Sequence, residues 1–136
     1  ILDGDQIIYN PAILAPEFEN SGYNSIWIEE ETNEWLQTVE NDVVVSCSRT
    51  GGRCGWQLFS VSRWTAEDGK KLKKHLEIEF EVNKNRQIYW DDVALFCYPN
   101  EYHLGIWPMK KGDIIEVDNL DELIALDGSY KKYLEY

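Results

Sequence analysis

Apolar and polar positions along this chain change period several times, and each change marks an element. Ile1-Leu2-Asp3 reads as the end of a buried strand running into a turn. Asn10-Pro11 is a helix start, with Asn as N-cap and Pro at the first helical position, and Pro16 confines that helix to a short piece. Ser25 to Glu29 reads as a strand. Glu34 to Val39 and Val43 to Cys47 flank a polar Asn41-Asp42 turn, which predicts a hairpin. Trp56 to Trp64 is a strand rich in β-branched and aromatic residues. Thr65-Ala66-Glu67-Asp68 resembles a capping box and opens a helix whose Leu72, Leu76 and Phe80 recur every four residues.

Arg86 to Tyr89 reads as a short extended segment, and Trp90 to Phe96 as a helix that Pro99 stops. Leu104 to Trp107 and Asp113 to Val117 read as strands separated by a Pro108 to Gly112 turn. Asn119 caps a last helix with Leu120, Leu123, Ile124 and Leu126 on its apolar side, and Gly128 ends it. Strands and helices alternate, so the class is α/β. The hairpin adds antiparallel pairing, so the expected sheet is mixed, with flanking helices.

At 136 residues the chain is one unit, long enough to bury a core. No apolar run is long enough to span a bilayer, and no signal peptide is visible. Ile1 stands where a complete chain would have Met, inside what reads as a strand, which sets the expectation of an upstream portion. Three cysteines without C-x-x-C spacing argue against a disulfide framework or zinc, and for free thiols in a reducing cytoplasm. A formal charge of -12 argues against nucleic acid as a partner, because neutralising phosphates needs a basic surface. It suits a cationic ligand or a metal.

Two acidic turns carry the candidate chemistry: Leu2-Asp3-Gly4-Asp5-Gln6 and Tyr89-Trp90-Asp91-Asp92-Val93. Each places carboxylates where a short apolar run ends. In open α/β sheets ligands sit beyond the carboxyl ends of strands. Asp5 follows a Gly4 that permits a tight turn, and Asp91 follows Ile88-Tyr89-Trp90. Brought together, Asp5 and Asp91 would make an oxygen-only site for Mg²⁺, which takes one or two carboxylates, waters and substrate phosphates. The competing reading makes Asp3 a turn residue and Asp92 an N-cap.

These same residues resemble the sugar-phosphate-type nucleotidyltransferases. Leu2 to Gln6 resembles that family's central Gly-Asp motif, and Tyr89 to Asp92 its downstream metal motif. Gly55-Trp56-Gln57-Leu58-Phe59-Ser60 and the closing Asp113 to Leu123 are similar in order and content. The subgroup resembled is the bacterial phosphocholine cytidylyltransferases and their small-phosphate relatives. The resemblance implies the C-terminal part of a nucleotide-diphospho-sugar transferase fold, which is Rossmann-like. It implies transfer of a nucleotidyl group from a nucleoside triphosphate, CTP in this subgroup, to a small phosphate such as phosphocholine, with pyrophosphate leaving. It implies Mg²⁺ as cofactor, with Asp5 and Asp91 as its ligands and catalytic residues. The family's N-terminal glycine-rich signature is absent from residues 1–136, so the resemblance implies a metal and acceptor portion without its triphosphate-binding half, inactive alone.

Six Trp and eight Tyr supply rings that attract a quaternary ammonium by about 0.5–2 kcal/mol each when well placed. Trp56 and Tyr89, whose strands lead towards the acidic turns, are the candidate rings, and Asp92 joins them as a candidate substrate-binding residue. Trp27, Trp35 and Trp107 are assigned to packing. Arg49-Thr50-Gly51-Gly52-Arg53 lacks the P-loop pattern and reads as a loop between hairpin and strand. His75 and His103 have no metal-spaced partner. Three rival functions remain: transfer to a sugar 1-phosphate, a non-catalytic aromatic-rich carbohydrate- or ligand-binding module, and a regulatory or interaction domain whose acidity is its main feature.

Overall fold

The computed structural model describes residues 1–14 and 17–134, so Pro16 lies outside the described residues. Among the described residues seven strands form two sheets: β1 (Gln6–Ile8), β2 (Gly22–Ile28), β3 (Leu36–Glu40), β4 (Val43–Ser48), β5 (Gly55–Arg63), β6 (Gly105–Met109) and β7 (Ile114–Glu116). The larger sheet has the order β4-β3-β5-β2-β6. Its β2–β6 pair is parallel and the others antiparallel, so the sheet is mixed as expected. Strands β1 and β7 make a separate antiparallel ribbon. Helix α1 (Ala66–Glu77) and helix α2 (Leu120–Leu126) complete the α/β architecture, with single turns of 3₁₀ or π geometry between.

Local chemistry sets these bounds. Asn41 and Asp42 have φ of 49° and 63°, the left-handed pair that a two-residue hairpin turn matching strand twist requires. Thr65 caps α1 by accepting from the Asp68 amide at 3.2 Å. Asn119 caps α2 from the Glu122 amide at 3.0 Å, while the Glu122 carboxylate accepts from the Asp118 amide at 2.8 Å. Asn10 accepts from the Ala12 amide at 3.1 Å and opens a 3₁₀ turn over Pro11–Leu14. Gly22 is required where β2 meets β6, since a Cβ there would lie 2.0 Å from the Gly105 carbonyl oxygen.

Alternate residues of β2 serve opposite faces. Tyr23 joins Leu72 of α1, Val93, Ala94, Leu95, Tyr102 and Leu104 in the main core. Ile26 packs with Ile13, Val61, Met109 and Ile114 in a second core, which anchors the β1–β7 ribbon. No helix among the described residues is long and apolar enough to cross a membrane.

Four local expectations change. Ile1 and Leu2 are exposed, bridging only to β5 through Val61. Residues 86–89 form turns, because Tyr89 is drawn into a bend closed by Asp92. Pro108 lies within β6, which an edge strand tolerates because one side of its backbone needs no donor. Helix α2 buries no residue, since the element it packs on is the short turn Gly128–Tyr133.

Candidate functional site

Asp3 and Asp5 occupy the turn before β1, Glu116 ends β7, and Asp91 lies in the turn before a helical segment at Val93–Cys97. Together with Glu34, Trp35, Leu58, Ser60, Tyr89 and Trp90 they line one cavity of about 360 Å³. The two acidic turns, 86 residues apart between Asp5 and Asp91, thus reach the same space. Gly4 has no left-handed φ and a side chain there would meet nothing, so the turn does not depend on glycine.

A carboxylate oxygen from each of Asp5, Glu116 and Asp118 lies within 4.8 Å of the other two. The ribbon accounts for Glu116 and Asp118 lying together beside the turn that carries Asp5. Val117 donates to the Asp5 carbonyl at 2.8 Å, extending the β1–β7 ladder by one step. Glu116 and Asp118 flank Val117, so period-two alternation puts both on one side. Burial pushes the Glu116 carboxyl up to about 7, helped by the charges of Asp118, Asp5, Glu34 and Asp3. Such a hard, oxygen-only, mutually repelling set suits a divalent cation like Mg²⁺. Asp91 is not in this triad. It is only 7% exposed, and burial, with Asp3 and Asp92 nearby, pushes its carboxyl up to about 6.

Asp92 has a different position from the one expected. It is buried and does not cap the following helix. One oxygen accepts from Arg49 Nε at 2.8 Å and from the same guanidinium's terminal nitrogen, and the other accepts from the Tyr89 amide at 2.7 Å. Both oxygens accept hydrogen bonds from within the chain, so Asp92 supports the turn that carries Asp91 and Tyr89. Arg49 also lies over the Phe96 ring at 3.8 Å.

The structure separates Trp56 from the acidic cavity. Register pairs it with Trp27 across β2–β5, the two rings meet edge-on at 5.5 Å, and Trp56 lines a different cavity with Val39, Arg63 and Trp107. The rings beside the carboxylates are Tyr89, Trp90 and Trp35. Tyr89 is 72% exposed and meets Trp35 edge-on at 6.3 Å; Trp35 in turn rests on Phe96 at 5.3 Å. Trp35, expected to pack, both packs and walls the cavity. The alternation of Ile114-Ile115-Glu116-Val117-Asp118 was the available signal for the missed Glu116 and Asp118.

His75 is structural: it hydrogen-bonds Tyr102 at 2.7 Å and stacks on Tyr98 at 3.8 Å. Cys47, Cys54 and Cys97 are free thiols, and burial pushes Cys47 up to about 12, which leaves it unreactive.

No family model matches the chain. It is 25% identical over 130 residues to the 2-aminoethylphosphonate cytidylyltransferase of Lancefieldella rimae, covering 96% of this chain and 52% of that protein. It is 21% identical over 127 residues to the choline-phosphate cytidylyltransferase of Streptococcus pneumoniae, covering 93% of this chain and 55% of that protein. The solved structure of the CTP:phosphocholine cytidylyltransferase from Streptococcus pneumoniae superposes with a TM-score of 0.78 at 21% identity, covering 96% of this chain and 56% of that one. The chain is thus similar to cytidylyltransferases in sequence and in fold, and it spans about half the length of the curated relatives it matches.

Proposed function

We propose that this chain is the metal- and acceptor-binding portion of a cytidylyltransferase. In this reading CTP is the donor and the acceptor is a small phosphate or phosphonate with a cationic amine end, such as phosphocholine or 2-aminoethylphosphonate. The observation that supports it is one cavity walled by the carboxylates of Asp3, Asp5, Asp91 and Glu116 and by the rings of Trp35, Tyr89 and Trp90, with Asp118 beside Asp5 and Glu116.

An acceptor oxygen forms a bond to the α-phosphorus of CTP, the bond from that phosphorus to the β-phosphate bridging oxygen breaks, and pyrophosphate leaves. Bound Mg²⁺ would neutralise charge on the phosphate oxygens. Asp5, Glu116 and Asp118 are the residues that would hold it, with Asp91 facing the same space from the other turn. Asp91 and the faces of Tyr89 and Trp35 would receive the cationic end of the acceptor. The Arg49–Asp92 pair keeps that turn in place. In this reading the triphosphate would be held outside this chain, which spans about half the length of the relatives, and free thiols suit a cytoplasmic setting.

Calorimetric titration with Mg²⁺, then with phosphocholine and 2-aminoethylphosphonate in its presence, tests the proposal. Metal-dependent binding of an amine-bearing acceptor is the expected result. Binding of neutral sugars without metal would sink it and favour a carbohydrate-binding module, and preference for a sugar 1-phosphate would replace the acceptor.

A further inference from the structure

Of the four arginines, Arg63 is half-buried and the other three are exposed. It ends β5 opposite Gly22, donates to the buried Asn24 carboxamide and lies over the Trp107 ring at 4.4 Å. Strand register fixes this trio, because Trp107 stands opposite Asn24 in the β2–β6 pair. Among the described residues no carboxylate makes an ion pair with Arg63, in a chain with 25 Asp and Glu against 13 Lys and Arg. Desolvation holds its guanidinium below the usual pKa, and neutral Asn24 does not offset that cost as a carboxylate would. Arg63 lines a cavity of about 560 Å³, within the range of about 300–1,000 Å³ usual for small-molecule sites. Gly22 and Gly105, paired with each other, put no side chain into this space. The rings of Phe18, Trp56 and Trp107 wall it, and Trp27 holds Trp56 edge-on at 5.5 Å.

We propose that this cavity is a second ligand site, which takes a flat ring carrying a phosphate or a carboxylate. It shares no lining residue with the acidic cavity, and it does not depend on the cytidylyltransferase reading. A guanidinium has five N–H donors in a planar fork that matches either anion, and Asn24 occupies only part of that fork. Asn24 and Trp107 hold the fork in place, so little side-chain freedom is lost on binding. A bare anion would leave the aromatic walls unused. It would also be repelled by Glu19 and Asp42, which line the same cavity. Those two carboxylates only accept hydrogen bonds, so they suit N–H groups on the ring. Trp56, separated from the acidic site by its register, supplies a ring face for stacking here.

The test is calorimetric titration without Mg²⁺, using CMP as a ring-bearing phosphate and indole-3-acetate as a ring-bearing carboxylate. Cytidine and inorganic phosphate are the controls, each lacking one half of the chemistry. At least one ring-bearing anion should bind about tenfold more tightly than either control, and which one does so identifies the source of the anion. Arg63→Met should weaken that ligand about tenfold or more. Trp56→Ala should weaken it by a similar factor through lost stacking. Melting temperatures are measured alongside. If Arg63→Met fails to fold, Arg63→Lys decides: it keeps the charge, loses the planar fork, and should bind the ligand more weakly at an unchanged melting temperature. Binding of neither ring-bearing anion to wild type overturns the proposal. So does wild-type affinity in a folded Arg63 variant, or a requirement for Mg²⁺. Each of these outcomes leaves the cytidylyltransferase reading intact.

Discussion

The guanidinium of Arg49 grips the buried carboxylate of Asp92, joining the loop after β4 to the turn that carries Asp91. The same carboxylate fixes the Tyr89 amide at 2.7 Å, so one residue anchors both a candidate acid and a candidate aromatic wall. Removing Arg49 leaves a buried acceptor short of its donor. Arg49→Ala should lose about 1–3 kcal/mol in urea unfolding. Asp92→Asn should lose a similar amount, since Arg49 and the Tyr89 amide donate to different oxygens and the new NH₂ would face one of these donors. Wild-type stability in either variant would show that the latch contributes nothing.

Stability should fall as pH rises from about 4 to about 7. The Asp91 carboxyl is raised to about 6 and that of Glu116 to about 7, so the folded chain holds protons that the unfolded chain releases. With more protons bound in the native state, the slope of unfolding free energy against pH is negative. For Asp91 the full effect is about 3 kcal/mol, absent below the unfolded carboxyl range and complete above pH 6. Glu116 is more exposed and adds a smaller share. Urea midpoints between pH 4 and 8 check this; a midpoint that climbs across the whole interval would contradict it.

Neutralising the triad should separate stability from ligation. Asp5→Asn and Asp118→Asn each remove a charge from a group of oxygens lying within 4.8 Å of one another. Relief of repulsion predicts an unchanged or higher melting temperature without metal, together with Mg²⁺ binding weakened at least tenfold. The melting temperature rise caused by Mg²⁺ in wild type should vanish in both variants.

Tyr89 and Trp35 should contribute to acceptor binding unequally in their effect on the fold. Tyr89→Ala removes an exposed ring, so phosphocholine should bind about 3- to 30-fold more weakly with the melting temperature unchanged. Trp35→Ala also removes packing on Phe96 and should lower both. Inorganic phosphate, which has no cationic end, should bind the Tyr89 variant as it binds wild type. Equal losses for both ligands would remove the ring from the site.

Local signals predicted much of this fold. The Asn41-Asp42 turn, the Thr65 and Asn119 caps and the Leu72-Leu76-Phe80 spacing act over a few residues, and the structure follows each. The acidic turns were legible too, and they line one cavity. Residues placed by pairing between distant strands were harder to read. Trp56 leaves the site because of its register with Trp27, and Glu116 enters it because β7 pairs with β1 across more than a hundred residues. Asp92 changes role because of Arg49, which no local pattern connects to it.

By itself the sequence determined the α/β class, the hairpin, the long β5 strand and the two α-helices, the strong negative charge and the two places where carboxylates gather. These depend on backbone preference, period and capping, which neighbouring residues decide. Only the tertiary structure decided which carboxylates converge, which aromatic rings stand beside them and which polar groups are left buried without partners. Those outcomes depend on strand register and on contacts between residues far apart in the chain. A one-residue shift in register sends a side chain to the opposite face of its sheet.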